Sequence, residues 1–150
     1  MNYKNPYEKL SGKLNNRKLV NAGFSEKTYD TGSVKLNYVV GPKNGPSLLL
    51  IPAQMGMWES YKKVLLPLSK IFQVYAIDVR GHGKSSWTPG HYSWKIIGED
   101  IKIFIENVNK YKCDKKEKIK FQICLGGLVK IPVLSKKTGT RPYSSMPSSR

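Results

Sequence analysis

The 150-residue sequence lacks the features that mark membrane-spanning, secreted and metal-cluster proteins. No run of roughly 18 apolar residues occurs, so a membrane span is excluded, and residues 1–6 lack the apolar core of a secretory signal. Two cysteines, Cys113 and Cys124, could form one disulfide, but nothing else indicates an oxidising compartment and we expect both to be reduced. Neither belongs to a metal-ligand cluster. These absences predict a cytoplasmic protein without a metal site.

Acidic residues are also scarce, because ten Asp and Glu oppose 26 Lys and Arg, giving a formal net charge of +16. The excess is greatest in residues 110–150, which hold eleven of the basic residues but only Asp114 and Glu117. Such a segment raises non-specific affinity for nucleic acid. Because no interleaved aromatics, zinc spacing or helix-turn-helix pattern accompanies the lysines at 110–120, we predict a solvated loop and no specific nucleic-acid partner. A binding module that uses the basic tail on an acidic partner stays open as an alternative.

The most informative segment is an apolar run at 72–77 followed directly by Asp-Val-Arg-Gly-His-Gly-Lys-Ser at 78–85. In open α/β sheets, a loop that follows a buried strand in this way lies at the carboxyl edge of the sheet, where ligands bind. A Rossmann fingerprint needs three spaced glycines that open a helix after the first strand, and a Walker loop would need a glycine at position 78. Neither nucleotide-binding motif is therefore present.

Hydrophobic patterns around this segment predict alternating strands and helices. Strands are expected at four places: 28–29, 34–40, 48–51 and 72–77, the first two as an antiparallel pair. Apolar residues at helical spacing predict a helix from Trp58 that Pro67 kinks or ends, and a second helix over 94–108 with Ser93 as its N-cap. We expect Trp58 and Trp94 to pack in the core. A looser pattern over 7–20 predicts a short leading helix.

Taken in order, the stretch from Val34 to about Val108 resembles the α/β-hydrolase superfamily. The resemblance rests on the strand at 48–51, the loop at 52–57, the helix that opens at Trp58, and the Asp-x-Arg-Gly-x-Gly-x-Ser string at 78–85. It implies an open, mostly parallel α/β sheet flanked by helices, a small ester-like or related small-molecule substrate, and no cofactor. It also implies a pocket loop made by six residues: Asp78, Arg80, Gly81, His82, Gly83 and Ser85.

The superfamily carries its nucleophile on a Gly-x-Ser-x-Gly elbow between a strand and a helix. This sequence has no such pentapeptide, but the segment 120–129 is similar to the elbow with Cys124 at the nucleophile position, as in the dienelactone hydrolases. Thiolates attack carbonyl carbons, so a cysteine nucleophile is chemically reasonable. Gln122 stands where the first glycine belongs, and its side chain would crowd the turn. The alternative, that Cys124 is a small buried core residue, stays open.

By the same resemblance, an oxyanion hole would use two backbone amides. One belongs to Ala53 or Gln54 in the loop after the strand at 48–51, and the other to Leu125. The triad acid and histidine of the family follow the elbow, but no Asp, Glu or His occurs after residue 124. His82 could line the pocket, but it cannot replace a base carried on the last loop without a different geometry.

The sequence is predicted to divide into a helical lead at 1–24, a partial α/β-hydrolase domain at 25–134 and a disordered basic tail at 135–150. The tail has no periodicity and almost no apolar content. Members of the superfamily typically continue through more strands, a cap and the last two catalytic residues. We therefore expect a chain truncated after the elbow helix, by a frameshift or a premature stop. A catalytically inactive fragment is the main alternative to an active hydrolase.

Overall fold

The computed structural model describes residues 5–108 and the backbone of a strand at Gln122–Leu125. The elements follow in the order 3-10 helix Glu8–Leu10, α1 Arg17–Asn21, β1 Ser25–Asp30, β2 Lys35–Val40, β3 Ser47–Ile51, 3-10 helix Trp58–Tyr61, α2 Lys62–Ser69, β4 Gln73–Ile77, α3 Trp94–Val108 and β5 Gln122–Leu125. The predicted lysine-rich loop at 110–120, Cys113, the elbow helix and the tail at 135–150 lie outside these residues. None of the described helices is long and apolar enough to cross a bilayer.

The strands form one sheet in the order β1-β2-β4-β3-β5. β1 pairs antiparallel with β2 from Ser25↔Val40 to Asp30↔Lys35, and β2 pairs antiparallel with β4. β3 lies between β4 and β5 and runs parallel to both. Within this sheet β2 alone runs against the other four strands. The predicted α/β class with a mostly parallel open sheet is confirmed.

The two central strands, β3 and β4, are buried along their whole length because helices cover both faces of the sheet. Successive strand residues point to opposite faces, so each strand contributes to two cores. On one face Leu49 packs in a cluster with Phe104 of α3. On the other face Leu48 packs with Trp58 and with Leu65 of α2. This arrangement explains why an uninterrupted apolar run, rather than an alternating one, marks these strands.

The predicted single helix over 7–20 is wrong, since this region forms a 3-10 helix and then α1. Gly12 separates them with φ +73°, a left-handed value that ends a helix. The Gly12 N–H donates to Asn37 Oδ1 at 3.2 Å, so it serves a contact with β2 instead of a helical bond. Asn16 then caps α1, its Oδ1 accepting from the Leu19 N–H at 3.3 Å.

The two longer helices follow the sequence pattern with one exception. Pro67 lies inside α2, which ends two residues later, and Ser93 Oγ accepts from the Ile96 N–H at 3.3 Å at the start of α3. Trp58 is 2 % exposed in the core, as predicted. Trp94 is 76 % exposed, so its predicted core position is wrong. Its side chain borders an open cavity instead of the interface between helix and sheet.

Candidate functional site

A cavity of about 700 Å³ opens beside the carboxyl ends of β3 and β4. Small-molecule sites have volumes of roughly 300–1,000 Å³, so this one is large enough for a ligand. Three segments line it: Ile51, Pro52, Ala53, Gln54 and Met55 after β3; Val79, Gly81, His82, Trp87 and Tyr92 after β4; and Trp94, Ile97, Gly98 and Ile101 of α3. The predicted location of a ligand site, at the carboxyl edge of the parallel strands, therefore holds a cavity of suitable size.

The lining of this cavity is apolar and aromatic. None of its described lining residues is Asp, Glu, Lys or Arg. Among its polar side chains, Tyr92 already accepts the Thr88 N–H through its hydroxyl at 2.9 Å, and both ring nitrogens of His82 are hydrogen-bonded. No group of three or more His, Cys, Asp or Glu within the described part of the chain could hold a metal ion. The cavity is suited to an uncharged, largely apolar ligand.

The glycine loop, which comprises residues 79–86 after β4, is closed by three backbone hydrogen bonds. The His82 N–H donates to Val79 O at 3.0 Å and the Ser85 N–H to His82 O at 3.1 Å. The Gly81 N–H donates to Ser86 O at 2.9 Å. Two consecutive turns are thus tied into one compact unit that holds His82 at its centre.

Both glycines of this loop are required by its geometry. Gly81 has φ +79°, and a Cβ at this position would collide with the Tyr92 ring. Gly83 has φ +49°, and a Cβ there would collide with the Asp78 carboxylate. Positive φ and close approach both favour glycine, so Gly81 allows the loop to pack against Tyr92 and Gly83 allows it to pack against Asp78.

Asp78 is fully buried behind the glycine loop and accepts three hydrogen bonds. Its Oδ1 accepts from the Trp58 N–H at 2.7 Å, and its Oδ2 accepts from Asn37 Nδ2 and the Lys84 N–H, each at 3.0 Å. Burial raises the pKa of Asp78, the three hydrogen bonds oppose that rise, and the nearby Glu26 adds to it. Asp78 therefore anchors both the glycine loop and the start of the 3-10 helix Trp58–Tyr61.

Glu26 of β1 completes this buried network from the other side. One of its oxygens accepts from Asn37 Nδ2 at 2.9 Å and from Trp58 Nε1 at 3.0 Å. Lys84 Nζ binds both carboxylate oxygens, at 2.8 and 2.9 Å. The Asn37 amide thus bridges two carboxylates, those of Glu26 and Asp78. Sequence reasoning missed Glu26 and Asn37, although a polar Asn inside the apolar strand β2 was the available signal.

Arg80 is also directed away from the cavity, into a buried ion pair with Asp100 of α3. Its Nε lies 2.7 Å from Asp100 Oδ2 and its Nη2 lies 2.8 Å from Oδ1, a bidentate geometry. Nη2 also donates to Ser33 Oγ at 2.7 Å. The hydrogen bonds with Asp100 raise the pKa of Arg80. This pair connects the glycine loop to α3, which also lines the cavity.

Ser85 and Asn5 hold the end of the glycine loop. Ser85 Oγ donates to Asp78 O at 2.6 Å and accepts from the Asn37 N–H at 2.8 Å. Asn5 is buried, and its Nδ2 donates to Gly83 O at 2.9 Å and Ser85 O at 2.6 Å. Nothing in the sequence pattern marked Asn5 as part of this arrangement.

The prediction that the whole segment lines a pocket is thus corrected. Of the six residues, Gly81 and His82 border the cavity. The other four residues do not line the cavity. The side chains of Asp78, Arg80 and Ser85 form hydrogen bonds with buried partners. Gly83 packs against the Asp78 carboxylate.

The β3 loop, which comprises residues 52–57 after β3, also lines the cavity. It contains a turn in which the Gly56 N–H donates to Ala53 O at 2.8 Å, with Met55 at φ +64°. The Met55 N–H donates to His82 Nε2 at 3.0 Å, and this bond joins the β3 loop to the glycine loop. Ala53 and Gln54, the predicted oxyanion residues, both line the cavity. Their role in catalysis stays a prediction.

β5 brings the predicted nucleophile segment to the same edge of the sheet. Its parallel register pairs Cys124 with Leu50 and Leu125 with Ile51. Because Ile51 ends β3, the backbone of Leu125 leaves the sheet beside the start of the β3 loop. The side chain of Cys124 lies outside the described residues, so the nucleophile assignment stays a prediction. The backbone register nevertheless brings the two predicted oxyanion segments together.

Neither a family model nor a curated protein matches the sequence. The structure is similar to Cfl2 from Burkholderia cenocepacia, with a TM-score of 0.59, 20 % identity and coverage of 69 % of this chain and 33 % of that chain. It is also similar to E-2-(acetamidomethylene)succinate hydrolase, with a TM-score of 0.54, 25 % identity and coverage of 58 % and 32 %.

A third similar structure is the Cif epoxide hydrolase from Acinetobacter nosocomialis, with a TM-score of 0.52 and 29 % identity. The match covers 67 % of this chain and 30 % of that one. This chain thus spans about a third of the length of the solved proteins that it matches.

Proposed function

The described part of this chain has the α/β-hydrolase fold, and from it we propose that the protein hydrolyses an uncharged, largely apolar ester or related small molecule. The observation that carries the proposal is the apolar cavity at the carboxyl edge of β3 and β4, bordered by Ala53 and Gln54. Ligands of open α/β sheets bind at this edge. None of the lining residues in the described part of the chain is charged, which favours a neutral substrate.

In the proposed reaction the thiolate of Cys124 attacks the ester carbonyl carbon. The carbonyl π electrons move to oxygen, and the resulting oxyanion accepts hydrogen bonds from the amide of Leu125 and that of Ala53 or Gln54. Collapse of this intermediate expels the alkoxide, which takes a proton from water, and leaves an acyl thioester that water hydrolyses to the carboxylic acid and the free thiol. The pairing of Leu125 with Ile51 supports this assignment, because it brings both amide-bearing segments to one edge.

Turnover is expected to be slow in this sequence. Within these 150 residues no Asp, Glu or His follows Cys124, and for this chain we propose that the thiol proton passes to solvent. Oxyanion stabilisation and binding alone still give about 10³–10⁴-fold acceleration over water in enzymes that have lost triad members. We therefore expect an acylation phase that is faster than the steady state that follows it.

A burst experiment with 4-nitrophenyl butyrate tests the hydrolase proposal. The expected result is release of up to about one equivalent of nitrophenolate per chain, with the acyl group located on Cys124 by mass spectrometry. Cys124→Ala should lose the burst, whereas the matched variant Cys113→Ala should keep it. Absence of a burst from the unaltered chain, or equal loss in both variants, would contradict the proposal and favour an inactive chain.

Binding of a non-hydrolysable ligand tests the proposed substrate class separately. Trp87 and Trp94 line the cavity, so 4-nitrophenyl hexyl ether should quench their fluorescence on binding. The anion 4-nitrophenoxyacetate should bind at least about tenfold more weakly, because its carboxylate would be desolvated without a partner. High ionic strength should be used to screen the positive net charge of the chain. Equal or tighter binding of the anion would show that the substrate class is wrong.

A further inference from the structure

We propose that His82, in its neutral Nδ1–H tautomer, is a positioning residue that fixes the β3 loop for oxyanion stabilisation. The inference rests on the proposed function, since it concerns the amides of Ala53 and Gln54. It requires no contact between His82 and the substrate carbonyl, and it assigns no proton transfer to the ring.

The two partners of the imidazole determine its tautomer. Nε2 lies 3.0 Å from the Met55 backbone nitrogen, which can only donate, so Nε2 must accept. Nδ1 lies 3.0 Å from Arg80 O, which can only accept, so Nδ1 must carry the proton. The opposite tautomer would set two donors against each other and two acceptors against each other. A protonated ring would lose the bond to Met55.

The β3 loop needs this support because its own structure holds it weakly. Met55 has φ +64°, a left-handed conformation that non-glycine residues rarely adopt. Its side chain is 87 % exposed, so packing of that side chain does not hold the residue in place. The bond from the Met55 N–H to His82 therefore fixes the turn, which otherwise has the internal Gly56 N–H to Ala53 O bond.

His82 can serve as a fixed point because the glycine loop that carries it is held from several sides. Its own N–H and carbonyl are bonded to Val79 and Ser85. Arg80, whose carbonyl oxygen accepts the hydrogen bond from Nδ1–H, is held by its bidentate pair with Asp100. The imidazole thus connects the firmly held glycine loop to the weakly held β3 loop, and both loops line the cavity.

The consequence for the proposed reaction is geometric. Ala53 and Gln54 immediately precede Met55, so a turn that relaxes at Met55 also reorients their amides. Oxyanion donors act only when they point to the position of the developing charge, and displacement by about 1 Å can cost on the order of 10²-fold in rate. Loss of the His82 contact should therefore slow acylation without weakening binding in the apolar part of the cavity.

Nitrogen NMR of the unaltered chain tests the tautomer directly. The chain has two histidines, and the exposed His91 provides the second signal, which a His91→Gln variant identifies. The expected spectrum assigns the proton of His82 to Nδ1 and a hydrogen-bonded acceptor shift to Nε2. A proton on Nε2 at neutral pH would overturn the proposal whatever the activity of the protein.

Three substitutions at position 82 then separate the two hydrogen bonds. His82→Gln carries a carbonyl oxygen near the former Nε2 and can still accept from Met55, whereas His82→Asn carries an amide near the former Nδ1 and can only serve Arg80. His82→Ala provides neither bond. Amide hydrogen exchange of Met55 should accelerate about tenfold in the Ala and Asn variants and stay near the original rate in Gln and in His91→Gln.

The kinetic readout uses the burst rate with 4-nitrophenyl butyrate and the affinity for 4-nitrophenyl hexyl ether. The Ala and Asn variants should acylate about 10- to 100-fold more slowly with unchanged affinity, and Gln should restore the rate. Equal exchange rates in all variants, or parallel loss of rate and affinity, would refute the positioning role. If the chain has the Nδ1–H tautomer of His82 and the expected hydrogen-exchange rates at Met55 but gives no burst, the proposed hydrolase function is wrong, whereas the structural role of His82 in the β3 loop still holds.

Discussion

Replacement of Asp100 by asparagine should destabilise the fold strongly, because it leaves a buried guanidinium without its counter-charge. The side chains of Arg80 and Asp100 are 7 % and 5 % exposed and are joined by bonds of 2.7 and 2.8 Å. Removal of one partner from such a pair costs about 3–5 kcal/mol. Asparagine keeps one acceptor oxygen, so we expect a loss of about 3 kcal/mol, near the lower limit.

Equilibrium unfolding in urea measures this loss. For a slope of about 2 kcal/mol per M, a loss of about 3 kcal/mol lowers the unfolding midpoint by about 1.5 M. Combining Arg80→Met with Asp100→Leu should recover much of the stability, because a buried pair can often be replaced by apolar residues at little cost. The double variant keeps the experiment informative even if Asp100→Asn alone does not fold.

The matched control is the exposed pair between Lys102 and Glu99 on the same helix. Its atoms lie 3.4 Å apart and both side chains are 60 % exposed, so Lys102→Ala should cost less than about 0.5 kcal/mol. If Asp100→Asn costs no more than Lys102→Ala, the buried pair does not support the glycine loop as described.

Three further predictions concern other parts of the molecule. Burial raises the pKa of Glu59 in the folded protein above its ordinary value of 4.5. The folded wild type must therefore lose this proton at a higher pH than the unfolded chain, and its stability falls as the pH rises from the ordinary pKa through the raised one. The stability of Glu59→Gln relative to wild type, from urea midpoints, should therefore increase from acid to neutral pH; a constant difference would contradict this. Gly98→Ala places its Cβ in open space and should stabilise α3 by about 1 kcal/mol, while Gly98→Leu should weaken binding of the hexyl ether. Trp58→Ala should lower the free energy of unfolding by about 3–5 kcal/mol, because Trp58 is buried. Trp94→Ala should lower it by less than about 1 kcal/mol but weaken binding of the hexyl ether, because Trp94 is exposed beside the cavity. Similar losses of stability in both variants would refute the assigned environments.

The sequence predicted the parts of the fold that depend on local patterns. The apolar runs at 48–51 and 72–77 became β3 and β4 to within one residue at each end. Ser93 capped α3 as expected. These features depend on the periodicity of neighbouring residues and on short-range hydrogen bonds, which a sequence displays directly.

The arrangement around the cavity could not be predicted in the same way. The Asp-x-Arg-Gly-x-Gly-x-Ser string indicated a loop but not which side chains enter the cavity, and the partners that draw Arg80 away are far apart in sequence. Asn37 of the antiparallel pair binds both Asp78 and Glu26, across sequence separations that periodicity does not encode. Trp94 fits the apolar stripe of α3 by spacing, yet it borders open space.

The two bonds from Asn5 have a consequence for how this region forms and for what disturbs it. They connect residues 78 and 80 positions apart, so the carbonyls of Gly83 and Ser85 find this partner only after a large part of the chain has been brought together. We expect the glycine loop to be among the last regions to become ordered during folding. Proteolytic removal of the first ten residues, far from the cavity in sequence, would act on the same loop that carries His82.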